Sequence, residues 1–134
     1  MAIKKFKPTT PGRRWMSGYT FEELTTSKPC KALTVKLKNA AGRNNTGRIT
    51  VRHQWSWHAK KYRLVDFFGV DKNGIVAKVE TIEYDPYRTA YIALVCYVDG
   101  ERRYTIAHKD MQVWDKIVSY KSAELVSGNR MQIG

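Results

Sequence analysis

Between residues 62 and 118 the chain alternates short runs of β-branched, aromatic and aliphatic residues with turn signals, and this punctuation limits what it can fold into. Tyr62–Phe67 reads as one strand and Asp71-Lys72-Asn73-Gly74 as a turn. Ile75–Tyr84 is a longer strand, stopped by Asp85-Pro86. Thr89–Val98 follows. Asp99-Gly100 is a strong hairpin signal, Glu101–Ala107 is the return strand, and Val113–Val118 is a short further strand. Upstream, Ile49, Val51 and His53 alternate with Arg48, Thr50 and Arg52, which predicts a strand over 48–53 with one polar face. Nothing from 48 to 120 has a helical period. Strict alternation in Ile75–Tyr84 puts Val79, Thr81 and Glu83 on one face and Glu80, Ile82 and Tyr84 on the other.

The expected fold is therefore all-β: a small five- to six-stranded OB-type barrel, which deals with exposed strand edges by closure. An SH3-like barrel is the main rival. A barrel over 42–134 leaves 1–41 as a basic, irregular, extended arm that orders on a partner. Within that arm Phe21–Leu24 could form one helical turn, and Leu33, Val35 and Leu37 alternate with lysines as a short extended segment. The chain length of 134 residues suits one such domain plus an extension.

Charge is distributed unevenly. Residues 1–63 carry 15 Lys+Arg against 2 Asp+Glu, whereas residues 64–134 carry 9 against 10, so the whole excess sits in the first half. A one-sided excess reads as a footprint for a polyanion. No apolar run reaches the roughly 18 residues a membrane span needs. Met1–Lys7 is basic with no apolar stretch behind it, so no secretory signal and no membrane partner are expected. Cys30 and Cys96 stand far apart, without a Cys/His cluster, so neither a disulfide framework nor a zinc site is expected.

Catalytic chemistry has no foothold. There is no GxSxG, HExxH, P-loop or GxGxxG pattern. His53, His58 and His108 are scattered, and the first two sit among cations, which disfavours metal binding. Asp66, Asp85 and Asp99 fall at strand ends, where a carboxylate usually closes an Asx turn. Cys96, between Val95 and Tyr97, reads as a buried, inert thiol. No cofactor, metal or catalytic residue is expected.

Binding chemistry is concentrated over 43–63. Arg43-Asn44-Asn45-Thr46-Gly47-Arg48 joins guanidinium forks, which hold phosphate bidentately, to amides that can meet base edges or sugar hydroxyls. Gly42 and Gly47 allow close backbone approach to phosphate. Trp55-Ser56-Trp57-His58-Ala59-Lys60-Lys61-Tyr62-Arg63 interleaves rings with cations, the composition of a surface where bases stack and cations follow the backbone. Trp55 and Trp57 read equally well as a hairpin tip packed on the core.

At these residues the chain resembles the N-terminal half of the universal large-subunit ribosomal protein two, in its bacterial or organellar form. The matching stretches are AIKKFKPTTPGRR at 2–14, AGRNNTGRITVRH at 41–53, KKYRLVDF at 60–67 and VETIEYDPYRTAYIAL at 79–94. Weaker ones are YVDGERRYTIA at 97–107 and SGNRMQIG at 127–134. The resemblance implies an arm and an OB-type barrel on large-subunit ribosomal RNA, beside neighbouring ribosomal proteins, supporting subunit assembly and the peptidyl-transferase region. The implied location is the ribosome of a bacterial cytoplasm or an organelle. Carried over by motif, the RNA-facing residues are Lys4, Lys5, Lys7, Arg13 and Arg14 in the arm and Arg43, Asn44, Asn45 and Arg48 in the loop. Arg52, His53, His58, Lys60, Lys61, Arg63 and, in the Tyr-Asp-Pro-x-Arg turn, Arg88 complete the set.

Departures fall in adjacent loops. Gln54, Trp55, Ser56 and Trp57 replace family glycines, Ala59 replaces a cation, Phe68-Gly69 replaces a basic pair, and His108-Lys109-Asp110 replaces a Pro-Lys-Gly turn. The family continues into a second, SH3-like barrel, so a truncated chain, a split gene with a separate C-terminal half as partner, and a redesigned OB scaffold are all open. In the last reading Trp55, Trp57 and Phe68 form a contact patch for a protein or small ligand.

Overall fold

The structure, a computed structural model, describes residues 2–55, 58–120 and 123–131. Its centre is a four-stranded antiparallel sheet. The strands that build it are β5 (Ala77–Glu83), β6 (Ile92–Tyr97), β7 (Arg102–Ile106) and β8 (Lys116–Ile117), in the spatial order β7-β6-β5-β8. N-terminal to them, β1 (Ile3–Lys5) pairs with β2 (Ser17–Tyr19), and β3 (Thr34–Val35) pairs with β4 (Tyr62–Arg63). The one α-helical turn among the described residues, α1, is Pro11–Arg14. No helix is long and apolar enough to cross a membrane.

β6 explains why the sheet is covered on both faces. Its Ile-Ala-Leu-Val-Cys-Tyr sequence is almost uniformly buried, as expected of a central strand with apolar neighbours on either side. Ala93, Val95 and Tyr97 enter one cluster with Ala77, Val79, Ile82, Met111 and Ile117. Ile92 and Leu94 enter the other with Tyr104, against which Cys30, Leu33 and Val65 pack. The second face is thus closed by chain from the N-terminal half. The Leu64 N–H donates to the Leu33 carbonyl, and the Asp66 N–H donates to the Tyr104 carbonyl at 2.8 Å. Isolated parallel bridges join Val65 to Tyr104 and Thr26 to Glu83. The result is a curled sheet, a half-barrel, and the domain is a small all-β one of OB type.

The strands lie between the expected turns, but Tyr62–Phe67 yields only Tyr62–Arg63 and Val113–Val118 only Lys116–Ile117, and one facing is corrected. The register of β5 against β6 shifts between Val79 and Thr81. This bulge leaves Glu80 as the extra residue and reverses the pleat beyond it. Ala77, Val79 and Ile82 therefore share a face, while Thr81 and Glu83 turn to the other, where Thr81 lies opposite Leu94 and Glu83 opposite Ile92. At the far end Asp99-Gly100 makes the expected hairpin between β6 and β7, with Gly100 at φ +87°.

Two further expectations are corrected. The strand over 48–53 is absent except for a single bridge from Ile49 to Arg43. Its apolar side chains meet no sheet: Ile49 and Val51 are exposed, and alternation without a surface to pack on does not make a strand. The first twenty residues are not extended throughout, because β1 and β2 pair around α1. Thr10 caps α1 by accepting the Arg13 N–H, with Pro11 in the first turn. Phe21–Leu24 is a hydrogen-bonded turn, and the 33–37 alternation yields only the two residues of β3. Leu24 already packs on the core, and the Thr25 N–H and hydroxyl both bond the Ile82 carbonyl.

Candidate nucleic-acid interface

The loop over 42–51 is built by its backbone. Three donors converge on the Gly42 carbonyl, the N–H of Thr50 at 2.8 Å, that of Val51 at 3.1 Å and the Thr50 hydroxyl at 3.3 Å. Gly42 has φ +71°, and a Cβ there would lie 2.3 Å from the Val51 carbonyl oxygen, so no other residue fits without moving the backbone. At the tip, Asn44 Oδ1 accepts from the Thr46 N–H, the Thr46 hydroxyl and the Arg48 N–H. Asn44 thus frames the loop with its side-chain oxygen, and both Asn44 and Asn45 are exposed.

With the main chain self-satisfied, the side chains are turned outward. Every residue from Arg43 to Trp55 is exposed, and so are His58, Lys60 and Lys61. Arg43, Arg48, Arg52 and His53 therefore share one projecting segment, with Trp55 beside them at 75% exposure. Arg43 also donates from a terminal nitrogen to the Ala41 carbonyl. Trp57 lies outside the described residues. Lys4, Lys5, Lys7, Arg13 and Arg14 are exposed on the β1–α1–β2 hairpin, where Lys4 and Arg13 lie over the Phe6 ring.

Arg88 is joined to this stretch through a residue the sequence reading passed over. Tyr87 packs edge-on to Tyr62 at 5.5 Å between centroids, and Lys60 Nζ lies 5.7 Å from its ring centre. The Asp85-Pro86-Tyr87-Arg88 turn holds this arrangement. Asp85, fully buried, accepts the Tyr87 N–H on one oxygen and the Arg88 Nε–H on the other at 2.6 Å. The pattern that could have found Tyr87 is the ring-Asp-Pro-ring-Arg order itself. Arg63 is placed differently from its neighbours: it is 7% exposed and donates to the Lys61 carbonyl.

The electrostatics divide along the same line. Lys72, Arg88, Arg102 and Arg103 each pair with carboxylates of the second half. Arg103 alone binds Asp66, Asp71 and Glu101. Its hydrogen bond is the largest cause holding the Asp71 carboxyl down to about 2. Burial opposes ionisation of Asp66, but Arg103 and the N–H groups of Gly69 and Phe68 outweigh it, and that carboxyl is also lowered. In the second half these four cations are neutralised by neighbouring carboxylates, whereas the 43–55 segment carries its arginines outward.

The remaining polar groups have structural work. Asp66, Asp85 and Asp99 each accept a backbone N–H two residues on, the Asx turns expected of them. Cys96 is half-buried, not fully buried, near the end of β6 opposite Arg102. No cluster of three potential metal ligands occurs among the described residues. Phe68, 82% exposed, borders a groove of about 570 Å³ with Phe67, Val70, Tyr120 and Met131.

A family model described as "Ribosomal Proteins L2, RNA binding N-terminal domain" matches residues 30–119, about two thirds of the chain.

Proposed function

Because this chain belongs to the family of ribosomal protein L2 RNA-binding N-terminal domains, we propose that it holds large-subunit ribosomal RNA through the 42–61 segment, the turn at 85–88 and the N-terminal hairpin. It is a structural, ribosomal RNA-binding domain, its partner is ribosomal RNA and its place is the ribosome. Membership counts against the repurposed scaffold with an aromatic patch. In the reading advanced here the ribosome is bacterial or organellar. The domain contributes to subunit assembly and to support of the peptidyl-transferase region, beside neighbouring ribosomal proteins and a C-terminal half of the same protein.

One observation carries the assignment of the surface. The 43–55 segment is exposed throughout, yet its backbone is pinned at Gly42 and Asn44. Arginines on a preorganised loop lose little freedom on meeting phosphates. Phosphate contacts from such a loop fix orientation, and the amide of Asn45 and the ring of Trp55 supply contacts to bases and sugars. Arg88, with its Nε on Asp85, keeps the outer edge of its fork for RNA. The division into a basic arm over 1–41 and a barrel over 42–134 belongs to the same reading, with the anchored stretch from Leu24 to Val35 joining the two. No catalytic role is assigned to His53, His58 or His108.

The test is co-sedimentation. Tagged protein expressed in cells is expected to travel with large ribosomal subunits at low salt. An Arg43→Ala/Arg48→Ala/Arg52→Ala variant of unchanged melting temperature is expected to shift toward the free fractions. Wild-type protein found only free, at every salt concentration, would contradict the proposal.

A further inference from the structure

Two cations without carboxylate partners stand together outside the basic half, and strand register places them. Lys116 of β8 lies opposite Lys78 of β5, Lys78 lies opposite Cys96 of β6, and Cys96 lies opposite Arg102 of β7. Residues directly opposite in antiparallel strands project to the same face, so the four form one row across the sheet. At one end of the row Arg102 is neutralised by both oxygens of Glu80, at 2.8 and 3.0 Å. At the other end Lys78 and Lys116 are exposed, and neither pairs with a carboxylate among the described residues. Like charges directly opposite each other destabilise a sheet, and an anion held between them removes that repulsion.

Trp114 stands beside this pair. Lys78 Nζ lies over its ring, 3.9 Å from the centroid, and the residue is 65% exposed. Its backbone has φ +81°, an uncommon conformation for a bulky residue. Hydrogen bonds to β5 hold it there. The Trp114 N–H donates to the Val79 carbonyl, and the Val79 N–H donates to the Asp115 carbonyl, both at 2.9 Å. The Asp115 carboxylate closes the turn by accepting the Gln112 N–H at 2.7 Å. A strained main chain thus presents a large ring to solvent, without the burial that would offset the strain. Strain of this kind gathers where a ligand is held. An open indole face next to two ammonium groups matches a base and the phosphate beside it, because every base has a π-face and cations follow the backbone. An acidic peptide would satisfy the lysines and leave the ring unused.

We propose that Lys78, Lys116 and Trp114 form a second contact for single-stranded RNA: the two ammonium groups share one phosphate, and an adjoining base stacks on the face of the Trp114 ring that Lys78 leaves open. Stacking and phosphate contacts carry no base identity, so the contact tolerates any sequence. The proposal rests on the RNA-binding reading above and adds a site on β5 and at the start of β8, in the half of the chain that carries no net positive charge.

The experiment is an NMR titration of the uniformly ¹⁵N-labelled full chain with a short oligouridylate, with its abasic counterpart and with oligoglutamate of equal length. The oligouridylate is expected to shift the Trp114 indole N–H and the amides of Lys78 and Lys116. The abasic strand is expected to move the lysines but not the indole, and oligoglutamate to move all three less. Affinities are then compared in the Arg43→Ala/Arg48→Ala/Arg52→Ala background. There Trp114→Gly is expected to weaken the oligouridylate by about five- to a hundredfold, the usual range for one lost base–ring stack. Its melting temperature should hold or rise, because glycine adopts φ +81° freely. Lys78→Gln/Lys116→Gln is expected to lower the slope of log affinity against log salt by about 0.7, one single-strand phosphate. Signals at these three residues that ignore the oligouridylate, that move as much with oligoglutamate, or an affinity unchanged by Trp114→Gly would overturn the contact. Failure of the RNA to move residues 43–52 of the wild type would count against the RNA-binding reading instead, so the two failures are distinguishable.

Discussion

The two halves of this chain use charge in opposite ways. From Leu64 onward, three cations are tied to carboxylates on neighbouring strands and turns: Arg102 to Glu80, Arg103 to three acids, Lys72 to Asp99 and Glu101. Before Leu64 there are fifteen cations and two acids, and the loop that carries Arg43, Arg48 and Arg52 is exposed throughout. The contrast in packing runs parallel. β5, β6 and β7 are held by apolar burial on two faces, whereas the 42–51 loop is held by backbone hydrogen bonds to Gly42 and by Asn44. One half is stabilised by its own contacts. The other is positioned by that half and leaves its charge for a polyanion. Stability and binding should therefore be separable by mutation.

The largest expected effect lies in the self-contained half. Ile92 is fully buried at the centre of the sheet, and Ile92→Ala should cost about 2–5 kcal/mol. Thermal denaturation is expected to show a fall on the order of 10 °C, with RNA affinity per folded molecule preserved at low temperature. A large loss of affinity in the folded variant would break the division.

A smaller effect is expected at Arg103, and pH sharpens it. Arg103 hydrogen bonds are the first cause lowering Asp71 and Glu101. Carboxyls held below their unfolded values stabilise the fold fully above those values, 3.8 for Asp and 4.5 for Glu, and the contribution fades as pH falls toward the folded value, about 2 for Asp71. Arg103→Met should lower the melting temperature by a few degrees at neutral pH, and its deficit should shrink as pH drops from about 4.5 to about 2. Glu83, which burial raises, has the opposite pH dependence in both proteins and cancels in the difference. A deficit independent of pH would mean that Arg103 acts by packing alone.

The smallest expected effect on stability is at the projecting loop. Trp55 is 75% exposed, so Trp55→Ala should change stability by within about 0.5 kcal/mol. A Trp lost from a core costs about 3–5 kcal/mol. Calorimetry decides between a surface ring and a buried hairpin tip.

How much of this was legible in the sequence follows from where the forces are local. Asp99-Gly100, Asp85-Pro86 and the apolar run of β6 announce turns and a central strand, because turn chemistry and continuous burial leave residue-level marks. The bulge at Glu80 leaves none. It is set by the register of β5 against β6, and it decides that Ile82 joins Val79 in the core. The alternation over 48–53 misled for the converse reason, since its pattern was right for a strand but no sheet edge lies beneath it. On the candidate interface, the exposed arginines were legible from composition and resemblance. The framing role of Asn44, the linking role of Tyr87 and the inward turn of Arg63 depend on contacts between segments that no local pattern records.

The central claim is that the first-half arginines, not the paired cations of the sheet, supply the electrostatic binding of RNA. The most direct test measures affinity for a ribosomal RNA fragment as a function of salt. Three proteins are compared: wild type, Arg43→Ala/Arg48→Ala/Arg52→Ala, and Lys72→Gln/Arg102→Gln. Each phosphate contact contributes about 0.7–0.9 to the slope of log affinity against log salt. The loop variant is expected to lose about 2–3 from that slope, and the sheet variant to keep it. Equal slopes for wild type and the loop variant, or a loss confined to the sheet variant, would contradict the account.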